Sequence, residues 1–222
     1  MIIRSVKLRA ATDTGDFGFK FRFGRNLTIV KAKNSSGKST LFNSILYGLG
    51  MEELIGGLNE KTLQSAVKEH FEFDDKRVAV NGSEVFIELE NRQGKVITLR
   101  RSIRDASRSQ KLIEIFEVAH LTEGLSLGDA KPTYLHDGGG AQLNEGFHKY
   151  LERFLGLSLP RVPTTKGGET KLYLQTIFAA LAVEQKRGWT DYIATIPFYG
   201  IRDVRTRVVE FLLGLSVFES NI

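Results

Sequence analysis

The residues best suited to chemistry lie close together between Ala32 and Thr40, in the order Ala-Lys-Asn-Ser-Ser-Gly-Lys-Ser-Thr. A glycine followed by a lysine and two hydroxyl residues is typical of a loop that binds phosphate groups with its backbone N–H groups. In such a loop Gly37 lets the backbone approach the phosphates, and Lys38 reaches the β- and γ-phosphates as a point charge. The Ser39 hydroxyl would ligate Mg²⁺, and Thr40 could offer a hydroxyl to the α-phosphate.

Two elements must position this loop. The apolar residues Leu27, Ile29 and Val30 predict a buried strand before it, and apolar residues from Leu41 to Leu49 recur at the spacing of one helix face. A loop between a strand and a helix is the arrangement that phosphate binding demands, because the helix N-terminus adds its partial positive charge.

One position departs from the pattern G-x-x-x-x-G-K-[ST]. Ala32 stands where the first glycine is expected. Alanine is strained if that position needs a positive φ and acceptable if it needs only a small side chain. The alternative to a phosphate site is a strand-to-helix turn rich in serine and glycine with an incidental lysine.

Alternation of polar and apolar residues predicts strands on both sides of the loop. Residues 2–9 and 17–23 are predicted to form a hairpin. A second hairpin and a third strand are predicted from residues 85–89, 96–99 and 112–118, and together they favour an antiparallel sheet.

The rest of the chain is predicted to be mainly helical. Residues 61–70 and 143–155 have helical patterns, and residues 160–168 are predicted to be a linker. Residues 172–183 are almost wholly apolar and predict a core element, whereas residues 201–215 predict an amphipathic helix.

Composition limits the class of protein. The chain has 222 residues with 41% apolar side chains and no cysteine, which excludes disulfides and thiolate metal sites. The four histidines are scattered without metal-ligand spacing. No apolar run approaches the roughly 20 residues that span a bilayer, and no signal peptide is evident, so we expect a cytoplasmic protein without a membrane partner. The net charge of +5 is compatible with nucleic acid but does not require it.

A dense basic run is the candidate DNA-contacting surface. It has five cations within twelve residues, and Asp105 is its only acid. Clustered arginines favour contacts with a phosphate backbone, but a solvated hairpin tip would have the same composition, and both interpretations stay open. The five residues are Arg100, Arg101, Arg104, Arg108 and Lys111.

The strand pair, the loop and the helix after it also carry a family resemblance. The strand pair, the run Asn-Ser-Ser-Gly-Lys-Ser-Thr and the continuation Leu-Phe-Asn-Ser-Ile-Leu-Tyr-Gly-Leu together resemble the N-terminal head segment of SMC-type ATPases. This group includes coiled-coil ATPases of chromosome maintenance and double-strand-break repair and SMC-like proteins of antiphage defence. The resemblance implies ATP and Mg²⁺ as cofactors. The implied nucleotide-binding residues are Asn34, Ser35, Ser36, Gly37, Lys38, Ser39 and Thr40.

The resemblance also gives a role to Gln185, which follows the apolar residues 172–183. It resembles the Q-loop glutamine of ABC-type heads, whose amide contacts Mg²⁺ and the attacking water. Lys38 and Gln185 would then be the catalytic residues, and Ser39 and Gln185 the metal-contacting ones. The alternative for Gln185 is a surface glutamine in a polar turn.

No apolar strand ending in Asp-Glu follows the loop, so a Walker B motif is missing. SMC-like heads are split, with a C-terminal half that returns after a coiled coil to supply the signature and Walker B motifs. We therefore expect residues 1–222 to be the N-terminal lobe of an ABC-type head, an α/β P-loop NTPase fold with a mixed sheet and an antiparallel β-subdomain. Its expected parts are residues 1–50 with the strand pair and loop, 78–118 with the β-subdomain, and 143–222 with the helical Q-loop part.

The function implied by the resemblance is an ATPase half-head that forms a homodimer of heads on ATP and acts on DNA, with an accessory nuclease or kleisin-like subunit among its partners. Two alternatives stay open. One is a self-contained small P-loop kinase or NTPase, which would need parallel strands after the loop. The other is a non-catalytic DNA-binding assembly module that keeps the loop as a structural anion site.

Overall fold

The computed structural model describes residues 1–34, 36–135, 146–183, 193 and 196–215. Its fold is α/β, with most of the strands in one sheet. The strands are β1 (Ile2–Thr12), β2 (Gly15–Arg22), β3 (His70–Phe73), β4 (Lys76–Ala79), β5 (Gly82–Glu90), β6 (Val96–Arg104), β7 (Leu112–Phe116), β8 (Lys131–Tyr134), β9 (Arg161–Pro163) and β10 (Glu169–Lys171).

The helices are α1 (Lys38–Gly48), α2 (His120–Glu123), α3 (Phe147–Leu155), α4 (Leu174–Leu181) and α5 (Val204–Leu212). Two of the helices, α1 and α2, pack on strands of this sheet, and α4 packs with α5. Three short 3₁₀ turns follow α1, at Glu52–Ile55, Asn59–Thr62 and Ser65–Val67. No helix within the described residues is long and apolar enough to cross a membrane.

The main sheet has six strands in the order β2-β1-β5-β6-β7-β8, and each neighbouring pair is antiparallel. At the β8 edge of the sheet, Tyr134 and Gly146 form an isolated bridge that is parallel and not antiparallel. The predicted hairpins are confirmed, since β1 pairs with β2 and β5 with β6. The two predicted strand groups also join, because Val6 of β1 lies opposite Ile87 of β5. The N-terminal strand pair and the predicted β-subdomain are therefore one sheet.

The core lies on the face of this sheet that α1 covers. Alternate residues such as Val6, Ile87 and Leu99 are fully buried there, and Leu46 and Tyr47 of α1 belong to the same cluster. Each such side chain contributes about 1.5–3 kcal/mol by leaving water. The predicted alternation is thus the pattern that fixes which face of the sheet receives α1.

Two predicted elements differ from the structure. Residues 27–30 form no strand in the described part of the chain, and Leu27 and Ile29 are 79% and 80% exposed. An apolar run is buried as a strand only where neighbouring strands exist, and none of the described strands pairs with it. Residues 61–70 are 3₁₀ turns and the start of β3 rather than an α-helix. Leu63 and Val67 are buried with helix-like spacing, but separate turns place them in the core.

Within the described residues the helices of the C-terminal part are shorter than predicted, and residues 143–145 of the first predicted helix lie outside the described residues. The first, α3, begins at Phe147 and is followed by Gly156, whose φ of 67° lies in the left-handed region that glycine favours. The apolar run after it gives α4, and the amphipathic stretch gives α5. Val208 is the buried anchor of α5, whereas Leu212, which lies one helical turn further along the same face, is 41% exposed.

Candidate phosphate-binding site

The predicted loop leads directly into a helix. Gly37 adopts the left-handed conformation with φ 87° and ψ 9°, and α1 begins at the next residue, Lys38. Apart from Gly37 and its two chain neighbours, no atom of the described residues lies within 4 Å of where a Cβ on Gly37 would be, so the backbone angle and not a lack of space explains the glycine. The first N–H groups of α1 have no carbonyl partner within the helix and offer donors to an anion.

The Lys38 side chain folds back onto the loop that precedes it. Its Nζ donates hydrogen bonds to the carbonyl oxygens of Ala32 and Lys33, at 2.7 Å each. Ala32 is not among the described non-glycine residues with a positive φ, so alanine is unstrained there. The departure from the motif therefore costs the loop no backbone strain.

The hydroxyl groups of the loop divide into two kinds. Ser36 Oγ donates to the carbonyl of Lys33 and so braces the loop. Ser39 is exposed at the first turn of α1, where a bound ion can reach it. Thr40 Oγ1 donates to Oε1 of Gln64, a contact that no sequence pattern indicated.

The remaining predicted nucleotide-site residues are Asn34, Ser35 and Gln185. Asn34 is exposed in the turn before Gly37. Ser35 and Gln185 lie outside the described residues, so their predicted roles stay predictions. A further signal was missed in the sequence: residues 17–51 contain six lysines or arginines and no aspartate or glutamate. This stretch surrounds the loop with positive charge, which suits a phosphate ligand.

The far end of α1 is held by a buried ion pair. Arg101 of β6 donates to both carboxylate oxygens of Glu52, at 2.8 and 2.9 Å, and neither side chain is exposed. The same guanidinium donates to the Tyr47 carbonyl and lies 3.9 Å from the centroid of the Tyr47 ring. Its Nε donates to the carbonyl of Gln110 at 2.7 Å. Arg101 is therefore a core residue, and its predicted place in a DNA-contacting surface is wrong, because no solvent-borne ligand can reach it.

The remaining arginines of the basic run differ in how closely they pair with carboxylates. Arg100 lies 2.7 Å from the carboxylate of Glu84, with Glu114 at 3.7 Å. Arg108 lies 3.8 Å from both of these carboxylates. Arg104 is exposed and donates to the Lys68 carbonyl at 2.7 Å. The run is therefore largely balanced by acids on neighbouring strands, and Arg104 is its most accessible cation among these three.

These side chains line an open cleft of about 200 Å³ beside the turn after β6. Arg9 of β1 joins Arg104 and Arg108 along it. Asp105 shapes the turn: the backbone N–H and hydroxyl of Ser107 donate to its carboxylate and lower the pKa of Asp105 below its ordinary value. Lys111 is half-buried at the end of the turn. A DNA contact at this cleft stays a prediction.

Comparison with known proteins gives a class for the chain. A protein-family model described as an AAA domain matches residues 15–134, which include the loop, α1 and strands β2 to β8. Among solved structures, a chain from work on the ATP-driven dimerization and DNA-stimulated activation of SMC ATPases is similar at 17% identity and a TM-score of 0.35. That likeness covers 52% of this chain and 69% of the other chain. No curated protein matches. The family match spans more than half of the chain and agrees with the predicted P-loop NTPase fold.

Proposed function

Because the chain belongs to the AAA domain family of P-loop ATPases, we propose that it is the ATP-binding half of an SMC-like ATPase head. In this proposal the chain binds Mg-ATP at residues 32–40, dimerises with a second head around ATP, and acts on DNA. The observation that carries the proposal is the start of α1, where left-handed Gly37 is followed at once by Lys38 and by the exposed hydroxyl of Ser39.

The residues of the loop and of the first turn of α1 fit a nucleoside triphosphate with Mg²⁺. The lysine, the exposed hydroxyl and the open helix N-terminus are the donors that a polyphosphate requires. Mg²⁺, when bound, offsets the charge of the β- and γ-phosphates, and Ser39 would ligate it from this chain, with Gln185 as the second contact implied by the resemblance. Lys38 would exchange the carbonyls of Ala32 and Lys33 for phosphate oxygens. The lysine is thus already held beside the loop it must serve.

The exposed apolar residues before the loop support the idea of a half-head. Leu27 and Ile29 are about four-fifths exposed and Val30 is 38% exposed, although this segment has the composition of an inner strand. We propose that strands from a C-terminal half, which also carries the Walker B glutamate and the signature motif, cover this segment. The chain by itself would then bind nucleotide but hydrolyse little, since it supplies only half of the groups that position the metal and the attacking water.

DNA would contact the cleft lined by Arg9, Arg104 and Arg108, where cations from two strands and a turn meet. The antiparallel pairing of β5 to β8 disfavours a self-contained P-loop kinase, which would need parallel strands after its loop. Accessory nuclease or kleisin-like subunits and a cytoplasmic or nucleoid location complete the proposal.

The test is ATP-dependent association. Sedimentation of the chain with its C-terminal half, with and without Mg-ATP, should give a dimer of heads only with ATP. Lys38→Ala should abolish both ATP binding and the dimer. Lys76→Ala is the matched control, because it removes an exposed cation on β4, outside the proposed ATP-binding residues. ATP binding by Lys38→Ala as strong as that of Lys76→Ala and of the unaltered chain would refute the proposed site, and ATP binding without any change of oligomeric state would refute head engagement.

A further inference from the structure

The helix that carries the phosphate loop is fixed mainly at the end far from the loop. The buried residues of α1 are Ser44, Leu46, Tyr47 and Gly48, all in its C-terminal half. Lys38 and Ser39, at the loop end, are exposed. The direction of the helix, and with it the position of the loop, therefore depends on how this buried half is held.

Arg101 holds that end through several contacts. Its guanidinium donates to the Tyr47 carbonyl at the last turn of α1, stacks on the Tyr47 ring and pairs with both oxygens of Glu52 just beyond the helix. The Tyr47 hydroxyl in turn donates to the Ser102 carbonyl at 2.6 Å, so the same tyrosine is tied to β6 twice. A cation on the carbonyl end of a helix also interacts favourably with the helix dipole.

We propose that Arg101, oriented by Glu52, is a positioning residue for the phosphate loop. It touches no part of the proposed nucleotide site and acts on it through the direction of α1. An eleven-residue helix is about 16 Å long, so a tilt of about 5° at the buried end moves the loop by about 1.4 Å. Displacements of about 1 Å are enough to weaken a precisely placed set of contacts by an order of magnitude or more. The inference rests on the proposed nucleotide site.

The experiment compares two buried glutamates. Glu52 and Glu88 both have side chains that are 0% exposed and paired with an arginine, but Glu88 contacts Arg4 and the N-terminus of α2 rather than α1. Both Glu52→Gln and Glu88→Gln should lower stability, because each removes a buried carboxylate from its cation. Only Glu52→Gln should weaken Mg-ATP binding, by about tenfold, whereas Glu88→Gln should change it by less than about twofold.

Binding is measured by calorimetry on the full 222-residue chain at a temperature where each variant is folded. Amide hydrogen exchange in the ligand-free chain is the second readout, and it should be faster along residues 41–44, the first amides bonded within α1, in Glu52→Gln but not in Glu88→Gln. If Glu52→Gln does not fold, Tyr47→Phe removes only the bond to Ser102 and should produce smaller changes in the same direction.

Three outcomes are separable. Equal ATP affinity and equal exchange for the two glutamine variants would overturn the inference and leave Arg101 a purely structural residue. The proposed nucleotide site would still stand in that case if Lys38→Ala abolishes binding. If Lys38→Ala binds ATP as well as the unaltered chain does, the proposed site fails instead, and the exchange data alone decide whether Arg101 holds α1.

Discussion

Replacing Arg101 with methionine should lower the free energy of unfolding by about 3–5 kcal/mol, the usual cost of leaving one partner of a buried ion pair alone. This loss is at the upper end of the range for single substitutions, and the structure gives the reason. Glu52 would remain fully buried without its bidentate partner, and the carbonyls of Tyr47 and Gln110 would lose a charged donor. For a chain of this size the expected shift is a melting temperature lower by about 10 °C.

Urea denaturation followed by circular dichroism measures the effect, with Arg25→Met as the matched control. Arg25 also forms a short ion pair, 2.7 Å from Glu90, but its side chain is 72% exposed. Its loss should cost less than about 1 kcal/mol, as for other surface pairs. A loss below about 1 kcal/mol for Arg101→Met would contradict the burial argument and would return Arg101 to the surface on which the sequence placed it.

Three more results are expected. The double variant Leu27→Ser with Ile29→Ser should change the free energy of unfolding of the chain by less than about 0.5 kcal/mol. It should weaken association with the C-terminal half about 100-fold, measured by calorimetry, because the complex would no longer bury two apolar side chains. Leu125→Ser, which replaces an apolar residue that is 48% exposed elsewhere, should change neither quantity. Arg104→Ala should reduce DNA affinity and lower the slope of log affinity against log salt by about one, without changing stability; an unchanged slope would remove this residue from the DNA contact. Donors in its own turn lower the pKa of the Asp105 carboxyl, so an NMR pH series should show it titrating below its ordinary pKa of 3.8. Its stabilisation of the turn is therefore fully present above pH 3.8 and is lost as the pH falls through the folded pKa. A midpoint at or above 3.8 would contradict these hydrogen bonds.

Local patterns were sufficient for much of the fold. The hairpins were predictable because alternation and turn residues act over neighbouring residues, and the phosphate loop because its motif and flanking helix agree. The exposure of residues 27–30 was not predictable, since burial of an apolar run depends on strands far away in the sequence or on another chain segment. The Thr40–Gln64 contact was also beyond prediction, because it joins a helix and an irregular turn.

The error at Arg101 was avoidable. Along β6, Leu99, Arg101 and Ile103 point to the buried side, whereas Arg100 lies on the other face beside Glu84. The period of two that predicted the strand also predicts which arginine faces inward. The basic run was interpreted as one surface because its residues were not assigned to the two faces of the strand.

The pairing of β1 with β5 has a consequence for how the chain folds. β1 ends at Thr12 and β5 begins only at Gly82, and the phosphate loop and α1 lie between them. Gly48 at the end of α1 packs so closely on Ile87 and Val85 of β5 that a Cβ there would lie 2.5 Å from Ile87 Cδ1. The helix therefore lacks part of its packing surface until the strand made about 40 residues later has joined the sheet. Contacts of such sequence separation slow folding, and closure of the sheet and docking of the loop-bearing helix should occur as one cooperative step.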